Sequence, residues 1–75
     1  MTPYKNLNKK SGVIAYEILP EGIRVQFIGK AIYYYSYDVP GSAHVEKMKE
    51  LAEKGMGLAT YISQHIREKF DHKED

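Results

Sequence analysis

The stretch GVIAYEILPEGIRVQFIGKAIYYYSYDV, residues 12–39, decides the fold of this 75-residue chain. It is rich in Val, Ile, Tyr and Phe, which favour extended strands, and turn residues divide it into three runs. The runs are residues 13–19, 23–28 and 31–39. The Pro-Glu-Gly of residues 20–22 separates the first two runs, and Gly29 with Lys30 separates the next two. Both separators are short hairpin signals, so the stretch predicts a three-stranded antiparallel meander.

Two helices are predicted to follow the sheet. Pro40 cannot donate to a strand ladder, and Ser42 is a suitable N-cap for a helix over residues 43–54. A second helix is predicted over residues 58–70, because apolar residues recur there at helical spacing. These residues are Leu58, Ile62, Ile66 and Phe70. The predicted fold class is α+β, in the order βββαα, with both helices packed on one face of the sheet.

The length of the chain allows one domain, which we place at residues 12–70. Residues 1–11 show no strand or helix pattern, and we expect a flexible N-terminal leader there. Residues 71–75 form a charged tail without apolar side chains, which we expect to fray.

Composition narrows the classes of function. The chain has no cysteine, which excludes disulfides, thiolate zinc sites and a cysteine nucleophile. No apolar run is long enough to span a bilayer, and the polar N-terminus does not resemble a signal peptide, so we predict a cytoplasmic protein with no membrane partner. The net charge of +1 divides into +3 over residues 1–35 and −2 over residues 36–75. The first half is therefore modestly basic, although the whole chain is not.

The length of the second turn decides which face of the sheet carries the tyrosines. A two-residue turn at Gly29 and Lys30 would pair Val25 with Tyr34 and leave Tyr33 and Tyr35 on the face away from the helices. A three-residue turn would reverse the tyrosines. The sequence favours the two-residue version, because glycine supplies the positive φ of a tight hairpin.

In that register the open face is a candidate binding surface for single-stranded nucleic acid, RNA above all. Aromatic rings that stand on an open sheet beside basic groups can stack with bases. The candidate residues are Tyr33, Tyr35, Arg24, Gln26 and Lys30. Tyrosine is also an ordinary strand residue, so the alternatives are structural tyrosines or a surface for a homodimer or another protein partner, at this face or at a strand edge.

The order of several short motifs resembles the KTSC domain, a family named after the C-terminal extension of some lysyl-tRNA synthetases and also found as a small stand-alone bacterial protein. The resemblance covers about residues 11–70. Its carriers are Ser11, Tyr16 with Glu17, residues 23–27, the Tyr-x-Tyr motif at Tyr33 and Tyr35, Val39 with Pro40, Gly55 between the helices, and Ile66 with Arg67 near Phe70. The resemblance implies a small α+β domain and a role in RNA binding.

Catalytic and metal chemistry are not predicted. The three histidines form no metal-ligand group. His65 and Glu68 lie at i, i+3 on one face of the predicted helix, a spacing that could supply two ligands, but no second cluster completes the coordination. No serine lies in a nucleophile elbow, so we expect no enzyme activity, metal or cofactor. Gly55 and Gly57 precede the second helix and could hold an anion through unpaired amides, with Lys54 adding a charge. A plain turn between helices is the alternative for this loop.

Overall fold

Five strands in the described part of the chain form one antiparallel sheet, ordered as in the sequence. The computed structural model describes residues 1–7 and 11–74. The strands are β1 (Thr2–Pro3), β2 (Val13–Leu19), β3 (Gly22–Phe27), β4 (Ile32–Ser36) and β5 (His72–Glu74). The predicted α+β class is confirmed, and the predicted meander is present as β2, β3 and β4. The sheet is nevertheless wider than predicted, by one strand at each edge.

Both edge strands come from segments predicted to lie outside the folded domain, and that expectation is wrong for the described residues. In the leader, β1 pairs with β2, and Tyr4 is buried in the core. In the tail, β5 pairs with β4. A strand of two or three residues has no detectable alternation, and the edge of a neighbouring strand supplies the backbone partners that hold it. Residues 8–10 and Asp75, which complete the two predicted segments, lie outside the described residues.

The helices begin close to the predicted positions, but the second one ends early. The first helix, α1, spans Ser42–Lys54, and Gly41 rather than Ser42 is its N-cap. The second, α2, spans Leu58–Tyr61 and continues as a π-helical segment over Ile62–Ile66. The predicted end at Phe70 is wrong, because the backbone leaves the helical conformation at Arg67, where φ is 54° and ψ is −115°.

The turn between β3 and β4 has three residues, so the predicted register is wrong. The Phe27 amide donates to the Ala31 carbonyl at 2.9 Å, and Val25 pairs with Tyr33. Positive φ angles at Gly29 (94°) and Lys30 (73°) close this loop. A shift of one residue moves every side chain of a strand to the other face. Tyr33 and Tyr35 therefore face the helices, where large rings fill the space between the two layers.

The core lies between the helices and this face of the sheet. Its buried members are Tyr4, Val13, Ile23, Val25, Tyr35, Val45, Met48, Ala52, Leu58, Ile62 and Ile66. The apolar stripe predicted for the second helix is buried at Leu58, Ile62 and Ile66. Phe70 lies beyond the helix and is half-buried against the core.

Candidate binding groove

The structure separates the five residues predicted to bind nucleic acid. Tyr35 is only 1% exposed, and Tyr33 is half-buried on the same, helix-covered face. Arg24 and Gln26 lie on the opposite, open face, because they pair with Tyr34 and Ile32. Lys30 is exposed in the turn. The predicted platform of two tyrosines beside Arg24 on one open face is therefore not present.

The open face is not basic either, because its arginine is neutralised by two carboxylates. The Arg24 guanidinium donates to both carboxylate oxygens of Glu74, at 2.7 and 3.0 Å, and to Glu17. Hydrogen bonds to Glu74 and then Glu17 raise the pKa of Arg24, and the bond from Arg24 lowers the pKa of Glu74. Arg24 and Glu74 are thus held in their charged forms, and the formal charges of one arginine and two glutamates sum to −1. This face offers little attraction to a phosphate backbone.

An aromatic groove opens on the helix side of the sheet, between the turn that joins β3 to β4 and the chain that follows the second helix. Its volume is about 690 Å³. Phe27 and Phe70 contact the Tyr33 ring edge to face, with ring centroids 5.5 and 4.8 Å from that of Tyr33. All three rings are half-buried, so each keeps part of its surface open. The other lining residues are Ile28, Ala31, Tyr35, Ile62, Arg67, Glu68 and Lys73.

Tyr35 lines this groove, and its hydroxyl has no hydrogen-bond partner in the part of the chain that the structure describes. Every side-chain nitrogen or oxygen that is fully buried there does have a partner. The hydroxyl therefore keeps some exposed surface, and Tyr35, although only 1% exposed, is one of the residues that line the groove. Burial raises the pKa of Tyr35 well above its usual value, so the hydroxyl keeps its proton and can donate it.

Two cationic side chains line the groove. Lys73 Nζ lies 5.6 Å from the centre of the Tyr33 ring, within the range of a cation–π contact. Arg67 follows the π-helical segment, and its amide donates to the Ile62 carbonyl at 2.6 Å. Glu68 is the acidic member of the lining. The groove thus combines three rings, two cations and one carboxylate.

The glycine loop predicted to hold an anion is covered by the N-terminal segment. The Leu58 amide, the first of the second helix, donates to the Tyr4 hydroxyl at 3.3 Å. A Cβ at Gly55 would lie 2.6 Å from that of Lys5, and the Gly55 carbonyl accepts from the Leu7 amide. Gly55 ends α1 with the left-handed φ of 83° that favours glycine. Together with Lys54 and Gly57, the loop therefore serves as a connection between helices and a docking point for residues 4–7.

No cluster in the described residues has the arrangement of a metal or nucleophile site. Three or more His, Asp or Glu side chains do not converge on a common point in residues 1–7 and 11–74. The Ser36 hydroxyl donates to Asp71 at 2.8 Å and accepts from the Asp38 and Val39 amides. His72 contacts the same carboxylate rather than the serine. This order differs from a catalytic triad, in which histidine lies between serine and aspartate.

Eight of the ten lining residues were not among the predicted binding residues, and they include the aromatic and cationic side chains of Phe27, Phe70, Arg67 and Lys73. The sequence pattern predicts Phe70 as part of the apolar stripe of the second helix. In the structure the helix ends before Phe70 because of the backbone conformation at Arg67, which apolar periodicity does not indicate. Arg67 and Phe70 do carry part of the KTSC resemblance, and that was the available signal. Lys73 lies in the predicted tail, where a single charged residue carries no pattern.

Searches of family models, curated proteins and solved structures found no match to this chain. Helices in residues 1–7 and 11–74 are all too short or too polar to cross a bilayer.

Proposed function

We propose that the protein is a non-enzymatic module that binds single-stranded RNA in the aromatic groove. The observation that carries the proposal is the convergence of the Phe27, Tyr33 and Phe70 rings with Arg67 and Lys73 in one open groove. Bases stack on such rings without strong sequence preference, and cationic side chains contact the phosphates. Tyr33 and Tyr35 remain in the proposal, whereas Arg24 and Gln26 leave it because they lie on the other face.

Two features of the sequence support RNA as the ligand. The order of motifs resembles the KTSC domain, whose occurrence in lysyl-tRNA synthetases suggests contact with RNA. The basic excess of residues 1–35, to which Lys5 and Lys30 contribute exposed side chains, would attract a polyanion. A cytoplasmic location, as the sequence predicts, suits this ligand.

The first prediction concerns Phe70→Leu, which removes a ring but keeps an apolar side chain against the core. Loss of one stacked base should weaken binding of a labelled oligouridine by at least about fivefold. Fluorescence anisotropy at low salt measures the affinity.

Tyr34→Leu is the matched control, because Tyr34 lies beside His72 on the open face, with ring centroids 5.0 Å apart. Its affinity for RNA should equal that of the wild type. Absence of RNA binding at high micromolar protein contradicts the proposal, as does an equal loss in the two variants.

A protein partner is the second candidate, and one observation favours it. Ile28 is 73% exposed at the rim of the groove, so it extends the half-buried rings of Phe27 and Tyr33 into a contiguous apolar patch of the kind that marks interaction sites. A second copy of this chain could cover this patch. Sedimentation over a range of concentrations separates the candidates, because self-association abolished by Ile28→Ser would favour the dimer, whereas a monomer at all concentrations would exclude it.

A further inference from the structure

The Tyr35 hydroxyl requires an explanation that the fold does not provide. Tyr35 is only 1% exposed, and its hydroxyl has no hydrogen-bond partner among the described residues. Phenylalanine would fill the same space beneath the helices without placing a polar group there. A lone hydroxyl in the lining of a groove is a feature of sites that fix the orientation of a ligand by one polar contact.

The groove limits the shape of the group that could meet this hydroxyl. Phe27 and Phe70 meet the Tyr33 ring edge to face, so the exposed ring surfaces favour a flat aromatic group between or against them. An aliphatic side chain would fill the space but leave the Tyr35 hydroxyl unpaired. The occupant should therefore be flat and carry a hydrogen-bond acceptor at its inner edge.

The rim limits the charge of the occupant. Arg67 and Lys73 outnumber Glu68 among the charged lining residues, which favours a ligand with an anionic portion outside the groove. A nucleotide combines a flat ring, polar atoms on the edge of that ring and a phosphate at a distance.

We propose that one base of a bound RNA strand enters the groove and accepts a hydrogen bond from the Tyr35 hydroxyl. This inference rests on the proposed function and assigns to Tyr35 the role of reading the edge of the base. Tyr33 and Phe70 hold the ring, and Arg67 and Lys73 contact the adjacent phosphates.

The test removes the Tyr35 hydroxyl and the RNA bases separately and together. Wild-type protein and Tyr35→Phe are titrated with an oligouridine and with an abasic ribose-phosphate strand of equal length. Tyr35→Phe should weaken binding of the oligouridine by about fivefold, the worth of one hydrogen bond, and leave binding of the abasic strand unchanged. Tyr16→Phe, which removes a hydroxyl outside the groove, should leave both affinities unchanged.

The outcomes distinguish this inference from the proposed function. If RNA binds and Phe70→Leu weakens it, but Tyr35→Phe changes both strands equally or neither, the role of Tyr35 is wrong and the RNA-binding groove stands. If the wild type binds the abasic strand as tightly as the oligouridine, no base enters the groove. If no RNA binds, both proposals fail. Thermal unfolding of Tyr35→Phe shows that the variant is folded.

Discussion

At the scale of single residues, two buried tyrosines differ in what their hydroxyls contact. The Tyr4 hydroxyl accepts the Leu58 amide, so it satisfies a buried backbone donor at the start of the second helix. The Tyr35 hydroxyl has no such partner within the described residues. Leaving a buried donor or acceptor unpaired costs about 1–3 kcal/mol, whereas removing an unpaired hydroxyl costs nothing in hydrogen bonding.

Replacing each tyrosine with phenylalanine should therefore have different effects on stability. Tyr4→Phe should lower the free energy of unfolding by about 1–3 kcal/mol, because it leaves the Leu58 amide unpaired. Tyr35→Phe should leave the free energy of unfolding unchanged or raise it. Urea denaturation followed by circular dichroism measures both. A loss in Tyr35→Phe as large as that in Tyr4→Phe would mean that the Tyr35 hydroxyl has a structural partner.

Arg67 is the other residue whose local structure points to a role. Its φ of 54° and ψ of −115° match the first central position of a type II′ turn, which glycine normally occupies. The Lys69 amide donates to the Ile66 carbonyl at 3.0 Å and closes this turn. Holding the backbone of a non-glycine residue in such a conformation costs about 1–3 kcal/mol of folding free energy. Strain of this kind is concentrated at functional sites. The Arg67 side chain lines the groove, which gives a reason for its presence.

Glycine and alanine at position 67 separate the backbone strain from the guanidinium. Arg67→Gly should raise the free energy of unfolding by about 1 kcal/mol relative to Arg67→Ala, since alanine keeps the strained conformation. Both variants should bind RNA more weakly than the wild type and to the same extent. Chemical denaturation and anisotropy supply the two readouts. Equal stability of the two variants would show that position 67 is not strained.

At the scale of elements, β5 is held mainly by polar groups. The Asp71 amide donates to the Tyr34 carbonyl at 2.7 Å, and the Asp71 carboxylate accepts from Ser36. The bidentate contact between Arg24 and Glu74 holds the far end of the strand. Lys73 belongs to β5 and Phe70 precedes it, so the position of β5 also determines one wall of the groove.

Acid should release β5. The hydrogen bond from Arg24 lowers the pKa of Glu74, and the hydrogen bond from Ser36 followed by that from His72 lowers the pKa of Asp71. A carboxylate with a lowered pKa in the folded state stabilises the fold fully above its unfolded pKa, here 4.5 for Glu74 and 3.8 for Asp71, and loses that contribution as the pH falls through the lower folded value. NMR signals of residues 71–74 should therefore move toward unfolded positions in acid before those of α1 do.

Glu74→Gln is the control for this release, because it removes the charge at every pH. In that variant the β5 signals should show weaker pairing already at neutral pH. Simultaneous loss of β5 and α1 signals in acid would contradict a separate release of the strand.

The sequence predicted the elements that carry their own pattern and missed those that depend on a neighbour. Residues 13–19 are rich in strand-forming side chains and end at a turn signal, and α1 has an apolar stripe, so both were predictable to within about a residue. β1 and β5 are too short to show alternation and form because an adjacent strand offers backbone partners. The register depended on whether Ile28 joins the turn, and the sequence signal of Gly29 with Lys30 fits either length.

The same one-residue difference accounts for the misplaced binding surface. Once Ile28 belongs to the turn, Tyr33 and Tyr35 move beneath the helices, and Arg24 faces Glu17 and Glu74 instead. The prediction named two tyrosines that line the aromatic groove but assigned them to the wrong face. The positions of Arg67 and Phe70, which line the opposite side of the groove, depend on where the second helix ends.

At the scale of the whole molecule, the two sides of the sheet have different characters. The open side carries the neutralised cluster of Arg24, Glu17 and Glu74. The helices pack on the other side. The aromatic groove opens there, where the second helix ends at Ile66 and the chain turns back toward β5. A near-neutral protein can therefore still present one site suited to a nucleic acid, because Glu17 and Glu74 are paired with Arg24 on the open face, while Arg67 and Lys73 line the groove with Glu68.

The most direct test is to record the aromatic-ring NMR signals while a short oligouridine is added. The rings of Phe27, Tyr33 and Phe70 should shift progressively and saturate together, whereas those of Tyr34 and Tyr16 should stay in place. Shifts confined to Tyr34 and the Arg24 side chain would place the RNA on the open face. That result would contradict the groove as the binding site.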